Sequence, residues 1–289
     1  MPELPEVETV RSQLARPLAG RFIRGVTVLW SRTLGATGGE RFAEHLVGAR
    51  IGTAQRHGKL LLFPLQRGQK DAGVFHAHLR MTGRFLVREC GATTGLWDRV
   101  LVHLDGDEEL VFLDVRKFGR LGIASSCAKA IETLGPDAWH AALDGAALAT
   151  LLGGRRTALK STLLDQSVLA GLGNIYVDES LHRAKLHPLR RAGSLADKEC
   201  AKLAQVIHHV LERAISRSGS SFDAFYRTPE GKPGDFQSEF RVYGRHGKRC
   251  RGCPDTIRRA VLGQRGTWWC PSCQPSPRRS EMASARFRR

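Results

Sequence analysis

A chain of 289 residues has room for about two domains of ~150 residues, each able to bury its own core. Lysine and arginine outnumber aspartate and glutamate by 45 to 28, and the resulting +17 charge and pI near 10.3 imply a polyanionic partner, nucleic acid first. The longest apolar runs, such as "KLLLFPL" and "LVFLDV", are too short to cross a bilayer, and no basic segment followed by an apolar core opens the chain, so the expectation is a soluble, intracellular protein with no membrane partner.

The first ten residues, "MPELPEVETV", place two prolines and three acids at the front of a basic chain. Leu4, Val7, Val10 and Leu14 fall on one helical face, with Glu3 and Glu6 in the first turn where the helix dipole favours negative charge. Pro2 and Pro5 suit a helix start, where a missing N–H costs nothing. A second reading competes with that one: a free amino terminus titrates near pH ~8 against ~10.4 for lysine, so this end can serve as a nucleophile.

From about residue 22 to 125 short β-like runs are broken by glycine, and Val100, Val102 and Leu104 alternate as in a sandwich or barrel. Helical patterning follows from about 128. Its clearest stretch runs from Ser194 to Ser216, with Ser194 and Asp197 in capping-box spacing and an apolar stripe of Cys200, Leu203, Ile207, Val210, Leu211 and Ala214. Residues 227–238, "RTPEGKPGDFQS", read as a Gly/Pro-rich loop and "EFRVY" as a strand, while the basic, aperiodic tail from Pro275 reads as disordered.

Of seven cysteines, Cys90, Cys127 and Cys200 stand alone, whereas Cys250, Cys253, Cys270 and Cys273 form two C-x-x-C pairs sixteen residues apart. That spacing suits one structural Zn²⁺ at the end of a β-hairpin, with two disulfides or a redox pair as the competing readings. Arg258, Arg259 and Arg265 between the pairs are natural phosphate clamps, although arginine on an exposed turn is usually only solvated.

In this order "PELPEVE", "GKLLLF", "HLRMTG", "DVRKFG", "LLDQSVLAGLGNIYVDESL", "EGKPGDF" with "VYGR", and the finger with "GQRGTWWC" resemble the formamidopyrimidine-DNA glycosylase family of bacterial base-excision enzymes, over nearly the whole chain to Gln274. Leu4 separates the sequence from the related endonuclease VIII enzymes, which typically have Gly after the first Glu. The resemblance implies an α+β multidomain fold: an N-terminal helix plus antiparallel β-sandwich over 1–130, a helical helix-two-turn-helix domain over 131–237, a four-cysteine zinc finger over 238–274 and a basic tail over 275–289. It further implies a monomer acting on damaged double-stranded DNA in the bacterial cytoplasm, at the nucleoid.

The same resemblance implies that Pro2, once Met1 is removed, is the nucleophile of a bifunctional glycosylase and abasic-site lyase for 8-oxoguanine and formamidopyrimidines. Glu3 matches the acid/base residue, Glu6 a supporting one, and Lys59 a lysine that reaches the phosphate of the extruded nucleotide. Met81, Arg116 and Phe118 match the residues that fill the vacated stack, and Asn174, Tyr176 and Arg265 those at the phosphate backbone. The 227–238 loop corresponds to a lid over the everted base. Two other readings stay open at this point: a DNA-binding relative without catalysis, and an enzyme preferring oxidised pyrimidines.

Overall fold

The computed structural model describes residues 1–221, 226–284 and 287. The chain divides into two compact units, Met1–Glu132 with Arg217–Asp235, and Thr133–Ser216 with Phe236–Arg289.

The first unit opens with helix α1 (Leu4–Leu18), capped by Glu3 in a capping box with Glu6. Leu4, Val7, Val10 and Leu14 are all buried, as the helical period requires. Then come β1 (Ile23–Val28), α2 (Gly39–Leu46), β2 (Arg50–Ile51), β3 (Gln55–His57), β4 (Leu60–Arg67), β5 (Lys70–His78), β6 (Gly83–Glu89), β7 (Asp98–Leu104), β8 (Glu108–Asp114), β9 (Arg120–Ala124) and α3 (Cys127–Ile131). One sheet has the order β1-β7-β8-β6; the other has β2-β4-β5-β9, with β3 on β4. The pairings are antiparallel, for instance β4 with β5 and β7 with β8. Phe63 and Phe75 from the second sheet meet Phe85 from the first, with ring centroids 5.8 Å apart for Phe63–Phe85 and 6.3 Å for Phe75–Phe85. Each such ring contributes roughly 1.5–3 kcal/mol by burial. Val100, Val102 and Leu104 point into the same core, so this is a sandwich closed by α1.

The second unit holds α4 (Gly145–Leu152), α5 (Leu159–Leu164), α6 (Asn174–Ala184) and α7 (Asp197–Ser216), then the hairpin of β10 (Arg258–Leu262) and β11 (Arg265–Trp269). Gly263 and Gln264 both have positive φ (54° and 64°), the signature of a two-residue type I′ turn. All six stripe residues of α7 are buried. Its cap differs from the expected one: Glu199 accepts the Ala196 N–H at 2.9 Å, while the Ser194 hydroxyl donates to the Arg191 carbonyl at 2.8 Å.

Two further expectations are corrected in this unit. "EFRVY" is not a strand, because the N–H groups of Arg241, Val242 and Tyr243 all donate to the buried Glu179 carboxylate at 2.9–3.0 Å instead of to a neighbouring strand. The alternating burial that suggested a strand is present all the same, at Phe240 and Val242. The described part of the tail is ordered against this unit. The Arg191 N–H donates to Glu281 O at 2.8 Å, the Ala283 N–H to Leu189 O at 3.1 Å, and Phe287 stacks on Trp269 with centroids 4.5 Å apart. Ala283 clusters with Ala158, Leu189 and Leu262, and Phe287 packs against them.

Among the described residues no helix is long and apolar enough to cross a membrane.

Candidate active site and nucleic-acid interface

The first turn of α1 is out of solvent: Pro2 is buried, and Glu3 and Glu6 are 3% and 2% exposed. One Glu6 oxygen accepts the Glu3 N–H at 2.8 Å and the other accepts the Ser220 N–H at 2.7 Å, while the Tyr226 hydroxyl donates to the Glu6 carbonyl at 3.3 Å. Burial, reinforced by the Glu6 charge, holds the Tyr226 phenol far above its ordinary pKa and keeps it a donor. Only glycine fits at 219, where φ is +76° and a Cβ would lie 2.7 Å from Glu6 Cγ.

Lys59, 7% exposed, enters β4 from the tight β3–β4 turn. His78 faces Leu60 across β4–β5, and its Nδ1 accepts the Arg80 N–H at 3.1 Å. Burial, then the cations Arg80 and Lys59, push this imidazole down to about 3, so it is neutral at pH 7. No sequence signal marked it beyond its place in "HLRMTG".

Met81 sits in the turn after β5, and Arg116 and Phe118 in the turn after β8. Arg80 and Lys117, at φ 54° and 60°, take the left-handed conformation at about 1–2 kcal/mol each, and so aim these turns. Phe118 is 47% exposed, with the Arg116 guanidinium 4.9 Å from its ring centroid. The buried Asp114 ties both turns together. Its Oδ1 accepts from the Thr82 hydroxyl and, at 3.2 Å, from the Arg116 N–H; its Oδ2 accepts the Gly119 N–H at 2.6 Å. Gly83 and Gly119 end the two turns against Phe112 Cζ, where a Cβ would stand at 2.9 and 2.5 Å.

In the second unit Asn174 opens α6, and its amide donates to the Gly266 carbonyl at 2.9 Å, beside the exposed Arg265 on β11. Buried Lys160 also donates to Gly266 O at 2.8 Å and pairs with Asp178 at 2.7 Å, and Asp178 accepts the Trp268 N–H at 3.0 Å. Burial pushes the Asp178 carboxyl up to about 6 in spite of Lys160. No sequence signal marks this pair, which fixes the hairpin on α6. Tyr176 is fully buried, 5.7 Å from the Phe236 ring, so it shapes the interior of α6 and is not open to a ligand in this conformation.

The Sγ atoms of Cys250, Cys253, Cys270 and Cys273 all lie within 4.8 Å of one another, with 3.9 Å for Cys250–Cys273 and 3.3 Å for Cys253–Cys270. Four thiolates around one tetrahedral ion at ~2.3 Å would stand about 3.8 Å apart, so these cysteines can hold a metal ion. His182 of α6 places Nε2 3.5 Å from Cys250 Sγ.

A sandwich unit with its amino terminus held in an acid-lined turn, in a chain with a helical unit and a cysteine-tipped hairpin, defines a DNA glycosylase. Residues 1–121 match the model of the formamidopyrimidine-DNA glycosylase N-terminal domain and residues 134–225 that of its H2TH domain. The chain belongs to the formamidopyrimidine-DNA glycosylase family and is a base-excision repair enzyme for oxidised purines. The formamidopyrimidine-DNA glycosylase of Symbiobacterium thermophilum is 40% identical, over 100% of this chain and 94% of that protein. That of Herpetosiphon aurantiacus is 41% identical over 95% and 100%. The Lactococcus lactis enzyme in complex with abasic-site DNA superposes with a TM-score of 0.85 at 32% identity, over 95% of this chain and 100% of that one. Its complex with DNA containing Fapy-dG gives 0.84 at 33% identity, over the same shares.

Proposed function

We propose that the enzyme is bifunctional, excising 8-oxoguanine and formamidopyrimidines from duplex DNA and then cutting the strand, with Pro2 as nucleophile after Met1 is removed. The secondary amine attacks the anomeric carbon and a new C–N bond replaces the bond to the base, which leaves with a proton. Loss of the ring oxygen's bond to that carbon yields an iminium, whose acidified sugar protons permit β- and then δ-elimination. Glu3 moves the protons at the sugar. Glu6, bonded to the Glu3 and Ser220 N–H groups, orients that turn, and Lys59 neutralises the phosphate of the extruded nucleotide.

Met81, Arg116 and Phe118 fill the gap left in the stack. Asn174 and Arg265 bind phosphates, with Tyr176 supporting α6 from within, and the loop at 227–238 covers the everted base. The four cysteines hold one structural Zn²⁺, which when bound braces the hairpin carrying Arg265 and leaves no open coordination position. The protein acts as a monomer in the bacterial cytoplasm.

The observation that carries this reading is the buried, doubly hydrogen-bonded Glu6 under the amino-terminal turn, an expensive arrangement for a mere helix start. Borohydride trapping on an 8-oxoguanine:cytosine duplex tests it. An adduct mapped to Pro2 and absent from Pro2→Gly is the expected result, with excision lost in Glu3→Gln. Tight binding with neither adduct nor cleavage would overturn it in favour of a DNA-binding protein, and much faster excision of thymine glycol would overturn the substrate assignment.

A further inference from the structure

A second cluster of metal-ligating groups lies in the first unit, on the face of the β1-β7-β8-β6 sheet opposite the sandwich core. Strand register builds it. Gly25, His103, Glu109 and Arg88 stand side by side across the four strands, and Cys90 follows Arg88 by two residues, which returns it to the same face. Cys90 Sγ, His103 Nδ1 and a Glu109 carboxylate oxygen all lie within 4.8 Å of one another.

The surrounding bonds orient these groups. The Thr27 hydroxyl is 2.8 Å from His103 Nε2, and with Nε2–H donating to it the Nδ1 lone pair is left facing Glu109. Arg88 Nε donates to Glu109 Oε1 at 2.7 Å and Arg88 also pairs with Asp98 at 2.9 Å, so the other carboxylate oxygen, Oε2, remains toward His103. Glu109 is 2% exposed and fixed, whereas Cys90 is exposed and its side chain is free to swing in. Oε2 and Nδ1 are 3.3 Å apart, the separation of two ligands that share one tetrahedral ion at ~2.0–2.1 Å. A thiolate and a carboxylate balance the charge of a divalent ion, and Arg88 is balanced by Asp98.

We infer that Cys90, His103 and Glu109 form a second metal site, independent of the four-cysteine cluster, for a borderline-soft divalent cation such as Zn²⁺ or Co²⁺. The thiol gives up its proton on binding, and water completes the coordination. One thiolate, one imidazole and one carboxylate suit a late first-row ion and not Mg²⁺ or Ca²⁺.

The test uses the full chain with its finger filled with Zn²⁺, which Co²⁺ displaces poorly. Co²⁺ titration is followed by thiolate-to-cobalt absorbance and by metal analysis after gel filtration. The expected result is one further equivalent of Co²⁺ with the absorbance of a single thiolate. Cys90→Ser removes that band while base excision and finger zinc are unchanged, and Thr27→Val, which frees the imidazole tautomer, weakens binding about tenfold. Absence of a second equivalent in the wild type, or a thiolate band that survives Cys90→Ser, overturns the assignment.

Discussion

Replacing Asp114 by Asn keeps the shape of the side chain and removes one acceptor. In the wild type Oδ1 serves Thr82 and Arg116 and Oδ2 serves the Gly119 N–H, so every lone pair that faces the turns is used. An asparagine NH₂ turned toward Gly119 leaves that buried N–H without an acceptor; turned the other way it confronts the Arg116 N–H, which keeps only the Thr82 hydroxyl oxygen at 3.0 Å. The better orientation keeps the Gly119 bond and loses the charge assistance and the Oδ1 acceptor shared by Thr82 and Arg116, so Asp114→Asn is expected to destabilise by about 1–3 kcal/mol. Asp114→Ala, which deletes the whole network, should cost about 4–5 kcal/mol. Urea denaturation followed by circular dichroism reads the loss. Because the network also holds Arg80 and Lys117 in left-handed backbone, single-turnover excision from duplex DNA should fall while borohydride trapping on a nicked abasic end, which needs no gap-filling, is largely retained. A variant within about 0.5 kcal/mol of wild type, with unchanged excision, would refute the view that one carboxylate organises both turns.

Three more outcomes are expected. His78 titrates at about 3 in the fold and near 6.5 when unfolded, so between those values the unfolded chain binds the extra proton and stability drops as pH falls, by at most ~1.4 kcal/mol per unit. His78→Gln should flatten the slope between pH 6.5 and 4.5 in urea denaturation, and parallel slopes would contradict it. Glu179→Gln gives three consecutive N–H donors and Arg183 a single good acceptor; a loss of about 3–5 kcal/mol, with faster amide exchange at 241–243, is the prediction, and unchanged exchange there would count against it. Truncation after Pro277 removes Ala283 and the Phe287 ring on Trp269, costing roughly 1–2 kcal/mol and shifting tryptophan emission to the red; an unshifted spectrum would show that the tail does not shield that indole.

Regular elements were legible because their apolar period is enforced by burial: Val7, Val10 and Leu14 on α1, Val100 and Val102 on β7, and the α7 stripe all face a core. What stayed hidden was set by partners distant in sequence or by local backbone geometry that residue type does not announce. "EFRVY" carries strand-like alternation, yet its donors are claimed by Glu179, more than sixty residues earlier. Ser194 has cap spacing, but Glu199 reaches back one turn and takes the role. The exposure of Phe118 depends on positive φ at Lys117, a residue type that carries no turn signal, so only the family motif pointed to it. Lys160 and Asp178 read as an ordinary lysine and aspartate until the fold buries both.

The bond between Glu6 and Ser220 spans 214 residues, and that separation orders events during synthesis. At ~5–20 residues per second the ribosome needs about 10–40 s to make the intervening chain. For that interval the Glu6 carboxylate in the first turn of α1 lacks its Ser220 donor. On the proposed reading, in which Pro2 acts once Met1 is removed, an aminopeptidase has its opportunity early, on a nascent chain whose first turn has not yet received that bond.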